Sequence, residues 1–155
     1  MESKTLKKEV IVAASPDDVW RAWTTTEGVV AFFAPEASVD LRIGGEYELY
    51  FDLDAPLGER GSEGAKVLSY LPSEMLCFSW NAPPEMPEVR RERTWVVVRL
   101  EPARSGSTRV RIDHLGWGRG DQWDQARAYF DRAWDIVLRR LRDRFESGPI
   151  DWSSI

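Results

Sequence analysis

Residues 121–146 contain the longest periodic pattern in the chain. Their large apolar side chains recur at spacings of mostly three and four, which indicates one apolar stripe on an α-helix. The stripe consists of Trp123, Tyr129, Phe130, Trp134, Val137, Leu138, Leu141 and Phe145. A helix of this length spans roughly 39 Å at 1.5 Å per residue. We therefore expect the rest of the chain to provide an equally long apolar surface.

The charges along this segment also fit a helix. Asp121 is the expected N-cap, and Asp124 adds negative charge to the first turn. Asp135 and Arg139 are four residues apart and are predicted to form an ion pair. The last turns contain Arg139, Arg140, Arg142 and Arg144. The helix dipole favours cations at that end.

The composition excludes several classes of protein. A chain of 155 residues with 43% hydrophobic content is expected to form a single domain, residues 1–155, with its own core. The formal net charge of -5, with acidic and basic residues intermixed, argues against nucleic acid as a partner. The sequence contains neither a signal-peptide pattern nor an apolar run of membrane-spanning length, so we expect no membrane span and a cytoplasmic location.

The chain has a single cysteine, Cys77, and a single histidine, His114. One cysteine cannot form an internal disulfide, and the pair does not make up a zinc ligand set. No base lies near Cys77 in the sequence, so an inert, packed thiol is expected. The sequence therefore predicts neither a metal site nor a cofactor.

The first third of the chain predicts one strand and two short helices. Residues 6–14 are expected to form the strand. Residues 15–18, Ser-Pro-Asp-Asp, have the pattern of a helix start, with a capping serine, proline at the first helical position and acidic residues in the first turn. The first helix carries Trp20 and Trp23, and a second helical piece ends before Pro35.

Alternation of apolar and polar residues predicts about six further strands. They are residues 39–43, 46–53, 63–71, 75–80, 94–102 and 108–116. Gly44 and Gly45 are the expected turn of the first hairpin. Its buried face is expected to carry Tyr47, Leu49, Phe51 and Leu53. Residues 81–92 contain three prolines and little periodicity, so they are predicted to form a loop beside a binding site.

This order of elements predicts an α+β fold in which a curved antiparallel sheet of six to seven strands wraps around the C-terminal helix. Burial of the large side chains from Phe130 to Phe145 would contribute on the order of 10 to 15 kcal/mol before chain entropy is subtracted. Helix and sheet are therefore expected to depend on each other.

Three segments resemble the START-like, or SRPBCC, superfamily, and within it the branch related to the activator of the heat-shock-protein-90 ATPase. They are VAASPDDVWRAWT, IGGEYEL and HLGWGRGDQWDQARAYFDRAWDIVLRRL. The resemblance implies the helix-grip fold, in which a curved sheet grips the C-terminal helix around a cavity. Other members of the superfamily use this cavity for lipids, polyketides or other apolar ligands. The resemblance implies no catalytic residue.

Large side chains on the predicted inner faces are the candidate ligand contacts. They are Trp20, Trp23, Phe33, Tyr47, Leu49, Phe51, Phe78, Trp80, His114, Trp123, Tyr129, Phe130 and Trp134. Such side chains either line a pocket or fill it as core, and the residues alone leave both readings open. The resemblance favours at least a partial cavity. In the long helix, residues 123–134 are expected to face the ligand and residues 137–145 the core.

Several polar residues have two readings. His114 shares a strand face with Val110 and Ile112, so it either contacts a ligand or is hydrogen-bonded within the core. Glu46, Glu48 and Asp52 are expected on a solvated face, as are Arg90, Arg91 and Arg93; the placement of Glu63 is left open. The glycines at 116, 118 and 120 predict a tight strand-to-helix turn, because their spacing does not fit a dinucleotide loop.

Three functional hypotheses follow. The first is non-enzymatic binding of a small hydrophobic or amphipathic ligand that is lipid-like, polyketide-like or aromatic. The second is a cyclase or hydrolase that uses His114 or Glu63 with Tyr47, and the third is a partner-binding module of the chaperone-activator kind. An enzyme should show polar residues converging in the cavity, a binding protein mostly apolar walls, and a partner module an exposed apolar patch. A homodimer and a chaperone partner are also left open.

Overall fold

A computed structural model describes residues 4–155 of the chain. Within that range the strands and α-helices follow in the order β1 (Leu6–Val12), α1 (Pro16–Thr24), α2 (Thr26–Val30), β2 (Glu36–Val39), β3 (Tyr47–Tyr50), β4 (Val67–Leu71), β5 (Met75–Trp80), α3 (Pro87–Glu92), β6 (Thr94–Pro102), β7 (Thr108–Leu115) and α4 (Asp121–Ser147). Short 3-10 turns occur at Arg104–Gly106 and Trp152–Ser154. The predicted α+β order, with two short helices after the first strand and a long C-terminal helix, is confirmed.

The strands are antiparallel and form two ladders. One sheet has the order β1-β7-β6-β5-β4, and the other pairs β2 with β3. Isolated bridges connect β3 and the residue before it to the segment that precedes β4. These bridges pair Glu46 with Lys66 and Tyr50 with Gly61. Between these bridges the Ser62 hydroxyl accepts from the Leu49 N–H at 2.8 Å and donates to the Tyr47 carbonyl at 3.1 Å. Together with backbone bonds such as Tyr47 N–H to the Ala65 carbonyl at 2.9 Å, these contacts connect the two-stranded sheet to the segment before β4.

The prediction for the first hairpin is wrong in its boundaries. Strand β2 ends at Val39, which pairs with Tyr47, and residues 40–46 form the connection. Inside that connection the Arg42 N–H donates to the Asp40 carbonyl, and the Gly45 N–H donates to the Arg42 carbonyl. These turn bonds prevent residues 39–43 from forming an extended strand. Tyr47 and Leu49 are buried as predicted, but Phe51 and Leu53 lie beyond the strand and are 45% and 38% exposed.

Helix α3 was not expected, because residues 81–92 were predicted to be a loop. Pro87 lies in its first turn, and the side-chain oxygen of Gln122 on α4 accepts from the N–H groups of Glu88 and Val89 at 2.6 and 3.1 Å. A residue distant in the sequence thus caps this helix, which local patterns do not reveal. Two strands are shorter than predicted, since β1 ends at Val12 and β4 begins at Val67.

Helix α4 packs its apolar stripe into the core. Trp123, Ala126, Phe130, Trp134, Leu138 and Leu141 are buried, together with the inward residues of the five-stranded sheet. The predicted cap is wrong, since Gly120 with φ +119° is the N-cap and Asp121 is the first helical residue. Asp135 pairs with Lys8 on β1 at 3.1 Å rather than with Arg139. This ion pair therefore joins the helix to the sheet.

The segment between β7 and α4 is a tight turn, as predicted. Gly116 and Gly120 adopt left-handed φ values of +93° and +119°, which favour glycine. Trp117 packs on the His114 ring at 4.4 Å between centroids, and its indole N–H donates to the His114 carbonyl at 2.9 Å. These contacts set the direction in which α4 leaves the sheet.

His114 connects β7, β6 and α4 through its ring. The Trp134 indole N–H donates to Nδ1 at 3.0 Å, and Nε2 lies 2.7 Å from the Thr94 hydroxyl oxygen. An indole N–H can only donate, so Nδ1 is unprotonated and Nε2–H donates to Thr94. The Thr94 hydroxyl in turn donates to the Trp80 carbonyl at 3.4 Å. Burial lowers the pKa of His114 to about 3, in agreement with a neutral ring.

The burial of Leu141 leads to a first prediction. This side chain is fully buried on α4, so Leu141→Ala should lower the free energy of unfolding by about 2–5 kcal/mol, as measured by urea denaturation. Leu57→Ala is the matched control, because Leu57 is 84% exposed and should change stability by less than about 0.5 kcal/mol. Equal losses in the two variants would contradict the packing described here.

The neutral His114 ring leads to a second prediction. The unfolded chain binds a proton near pH 6.5 and the folded chain only near pH 3, so stability should rise with pH within this window. Between the two pKa values this histidine adds a slope that approaches about 1.4 kcal/mol per pH unit to the free energy of unfolding. Above the unfolded pKa the slope from this histidine is absent. In urea denaturation between pH 7.5 and 5, His114→Gln should lack this component of the slope. An NMR titration of this single histidine with a midpoint near 6.5 in the folded protein would refute the assignment.

Candidate functional site

A cleft of about 790 Å³ lies beside α4, open to solvent on one side. The loops after β3 and β5 form its other walls, with Arg90 of α3 and Phe33 after α2. The buried apolar part of its lining is Phe33, Trp80, Ala82, Phe130 and Trp134. A volume of this size is within the range of small-ligand pockets.

Three aromatic rings form the floor of the cleft. The ring centroids of Phe33 and Trp80 are 5.7 Å apart, those of Phe33 and Trp134 are 5.8 Å apart, and those of Trp80 and Trp134 are 6.1 Å apart. Each of the three residues is at most 3% exposed, so the floor is held on its other sides by the core. Each ring is therefore held rigidly by the protein, with only a small part of its surface open to the cleft.

The periodicity of the elements explains why these rings meet. Alternation along β5 directs Trp80 to the same face as Leu76 and Phe78, and all three are buried. Spacings of three and four along α4 bring Phe130, Ala133, Trp134 and Val137 to the cleft side. Phe33 is held at the end of α2 by a hydrogen bond from its N–H to the Val29 carbonyl at 2.7 Å.

Arg90 ties the loop walls together. Its guanidinium donates to the Ala82 carbonyl at 2.6 Å and to the Gly58 carbonyl at 2.6 Å, and lies 3.4 Å from a Glu63 carboxylate oxygen. Burial opposes ionisation of Glu63, but bonds from the N–H groups of Arg60 and Gly61 outweigh it and lower the pKa of the carboxyl. Glu63 and Arg90 therefore form a structural pair, whereas Arg90 was expected on a solvated face.

The mouth of the cleft carries charges of both signs. Asp52, Glu59 and Glu85 are exposed there, whereas Arg60, Arg90 and Arg140 are partly buried. The Arg60 Nε–H donates to the Ala55 carbonyl at 2.8 Å. Tyr129, 40% exposed, also lines the mouth, and burial and the charge of Glu85 raise the pKa of its hydroxyl. Asp52 was expected on the side of the sheet away from the apolar face, but it lines the cleft.

The predicted ligand contacts divide into two groups. Those that line the cleft are Phe33, Phe51, Trp80, Tyr129, Phe130 and Trp134. The others, which are not part of the lining, are Trp20, Trp23, Tyr47, Leu49, Phe78, His114 and Trp123, and all of them are buried. Their aromatic rings fill the core instead: Tyr47 stacks on Phe78 at 4.2 Å, and Trp23 packs edge-to-face on Phe32 at 5.2 Å.

The residues proposed for an enzyme do not converge. The Tyr47 hydroxyl donates to the Trp23 carbonyl at 2.8 Å, and burial raises the pKa of that hydroxyl. Glu63 binds backbone N–H groups and Arg90, and both ring nitrogens of His114 are hydrogen-bonded. None of these three residues belongs to the described lining of the cleft.

Sequence reasoning missed the arginines and the small residues of the cleft. Arg140 lies seven residues after Ala133 and three after Val137, so helical spacing alone could have placed it beside the stripe. Arg60 and Arg90 belong to a loop and a short helix that are brought together only by tertiary contacts. No periodic signal identifies them.

Two further observations limit the chemistry of the described residues. Among residues 4–155, no group of three or more His, Cys, Asp and Glu side chains is placed to hold a metal ion. Burial raises the pKa of the Cys77 thiol, which disfavours the reactive thiolate. Over the same residues, no helix is long and apolar enough to cross a membrane.

Solved structures with this architecture come from several bacteria. The Aha1 dimer from Colwellia psychrerythraea is 22% identical, with a TM-score of 0.70 over 93% of this chain and 97% of that one. Protein MLL2253 from Mesorhizobium loti is 18% identical, with a TM-score of 0.74 over 94% and 99%. Protein BH1534 from Bacillus halodurans is 25% identical, with a TM-score of 0.66 over 91% and 96%. These likenesses confirm the helix-grip fold.

The sequence itself identifies the family. No curated protein matches the chain significantly. The model of the family described as activator of Hsp90 ATPase homolog 1-like protein matches residues 13–146. This match confirms the resemblance that the motifs indicated, and it covers most of the chain. The chain therefore belongs to the family of activator of Hsp90 ATPase homolog 1-like proteins.

Proposed function

We propose that this chain binds a small, largely apolar molecule and that the cleft beside α4 is its binding site. The aromatic floor of Phe33, Trp80 and Trp134 is the observation that carries the proposal. Contact with the open part of these rings and with the more exposed Phe51 and Tyr129 would supply the attraction, because a ligand in the cleft would remove its own apolar surface from water. The family also supports a fold of the ligand-binding type.

The rigidity of the walls supports binding further. Arg90 holds the loops at Gly58 and Ala82 together, and Gln122 holds α3 against α4. Walls that are already ordered lose little conformational entropy when a ligand enters, so more of the contact energy appears as affinity. The enzyme hypothesis has less support, since His114, Glu63 and Tyr47 do not line the cleft and their polar atoms are bonded to other groups of the protein.

A pair of alanines on α4 tests this proposal. Ala133 lines the cleft and is partly buried, whereas Ala128 is exposed on the same helix. Ala133→Trp should fill the cleft and weaken binding of the neutral fluorescent probe N-phenyl-1-naphthylamine by about 10-fold or more, since bulk in a filled pocket displaces the ligand. Ala128→Trp should bind the probe like the wild type. Both variants are compared by thermal melting to verify that they fold.

Two results would contradict the proposal. The first is the absence of saturable probe binding by the wild-type protein. The second is equal affinity in the Ala133→Trp and Ala128→Trp variants, which would place the bound probe outside the cleft.

We also propose that the chain forms a homodimer, a proposal supported by the Aha1 structure from Colwellia psychrerythraea, which is that of a dimer. Sedimentation velocity should then show a species of twice the chain mass of 17.8 kDa, with a fraction that grows with concentration. A purely monomeric protein at the highest soluble concentration would contradict this.

A further inference from the structure

Three arginines line the cleft, and two of them are engaged by the protein. Arg90 donates to the Ala82 and Gly58 carbonyls and lies beside Glu63, and Arg60 donates to the Ala55 carbonyl. Arg140 differs, because among residues 4–155 its guanidinium takes part in no hydrogen bond or ion pair of the protein. All of its donors are therefore available to a ligand, whereas Arg60 is already bonded through its Nε.

The Arg140 guanidinium is nevertheless supported. Its central carbon lies 5.3 Å from the centroid of the Trp152 ring, within the range of a cation–π contact. The Trp152 indole N–H donates to the Val30 carbonyl at 2.7 Å, and the Ile150 N–H donates to the Ala31 carbonyl at 3.0 Å. The C-terminal segment is thereby fastened beside the end of α2. A cation–π contact uses no N–H donor, so the support leaves the hydrogen-bonding capacity of Arg140 intact.

The charges at the mouth favour an anion at this point. Asp52, Glu59 and Glu85 also line the cleft, but they are exposed, so water and salt screen their repulsion. Arg140 is partly buried, and its interaction with a bound charge is screened less. Burial, followed by the charge of Arg139, lowers the pKa of Arg140, a cost that a bound anion would relieve.

We propose that the ligand is an amphipathic monocarboxylate whose carboxylate accepts hydrogen bonds from the Arg140 guanidinium while its apolar part lies on the aromatic floor. This inference rests on the proposed function and specifies the class of ligand. Trp134 and Arg140 lie six residues apart on α4, a separation of about 9 Å along the helix axis. The apolar part of the ligand must therefore span at least that distance. A planar guanidinium suits a carboxylate because it can donate two parallel hydrogen bonds.

The test compares dodecanoate with dodecanol, which share a chain length and differ in charge. Both are measured at pH 7.5, below micelle formation, by displacement of N-phenyl-1-naphthylamine. The wild-type protein should bind dodecanoate about 10- to 100-fold more tightly than dodecanol, the range expected for a hydrogen bond to a charged group. Arg140→Gln should bind the two ligands equally, with the dodecanol affinity unchanged. Arg140→Lys, which keeps the charge without the planar fork, should show an intermediate preference.

The matched control is Arg142→Gln, which removes an exposed arginine from the same helix. This variant should retain the full preference for dodecanoate. An equal loss of preference in Arg142→Gln and Arg140→Gln would overturn the inference, because it would indicate general attraction by positive charge. Unchanged dodecanoate binding in Arg140→Gln would also overturn it.

The outcome separates this inference from the proposed function. If the wild-type protein binds dodecanoate and dodecanol equally, the cleft remains an apolar binding site and the assignment of Arg140 is wrong. If it binds neither of them and does not bind the neutral probe, both proposals are wrong.

Discussion

The hydrogen bond from the Trp134 indole to Nδ1 of His114 joins the long helix to the sheet, and the cleft depends on it. The bond fixes the imidazole tautomer, and through Nε2 the ring also reaches Thr94 on β6. The Trp134 ring also forms part of the aromatic floor. One side chain therefore serves both the core and the cleft, so the position of the floor is determined by a buried polar contact as well as by apolar packing. A buried imidazole is stable here because both of its nitrogens are satisfied.

The walls of the cleft rely on polar side chains that take the place of regular secondary structure. Arg90 supplies donors to two loop carbonyls, Glu63 accepts from two loop N–H groups, and Gln122 caps α3. Loops without ladder bonds need such partners, because an unpaired backbone group that is shielded from water costs free energy. The two charges of Arg90 and Glu63 thus stabilise the shape of the site, and this use explains why neither is free to act on a ligand.

The polarity of the cleft changes along α4. Near Phe130 and Trp134 its lining is apolar, and about two turns after Trp134 the helix presents the supported cation of Arg140. An apolar ligand could bind to the first part alone, but the uncompensated arginine makes the site asymmetric. Membership of the family of activator of Hsp90 ATPase homolog 1-like proteins agrees with a fold of the ligand-binding type. Under the proposal of a carboxylate ligand, the choice of ligand would depend on residues at the edge of the stripe rather than on its centre.

Elements with strong local patterns could be predicted from the amino-acid sequence. The 3.6-residue period located α4, alternation located β5, β6 and β7, and the motifs identified the family, because each signal lies within one continuous segment. The ends of the first hairpin and the helix at Pro87–Glu92 depend on tertiary contacts. The same is true of which aromatic residues line the open cleft. Periodicity shows which face a side chain occupies, but Phe78 and Trp80 share a face and only Trp80 reaches the cleft. Whether a buried face meets another side chain or a gap depends on residues far apart in the chain, such as Gln122, Arg90 and Trp152.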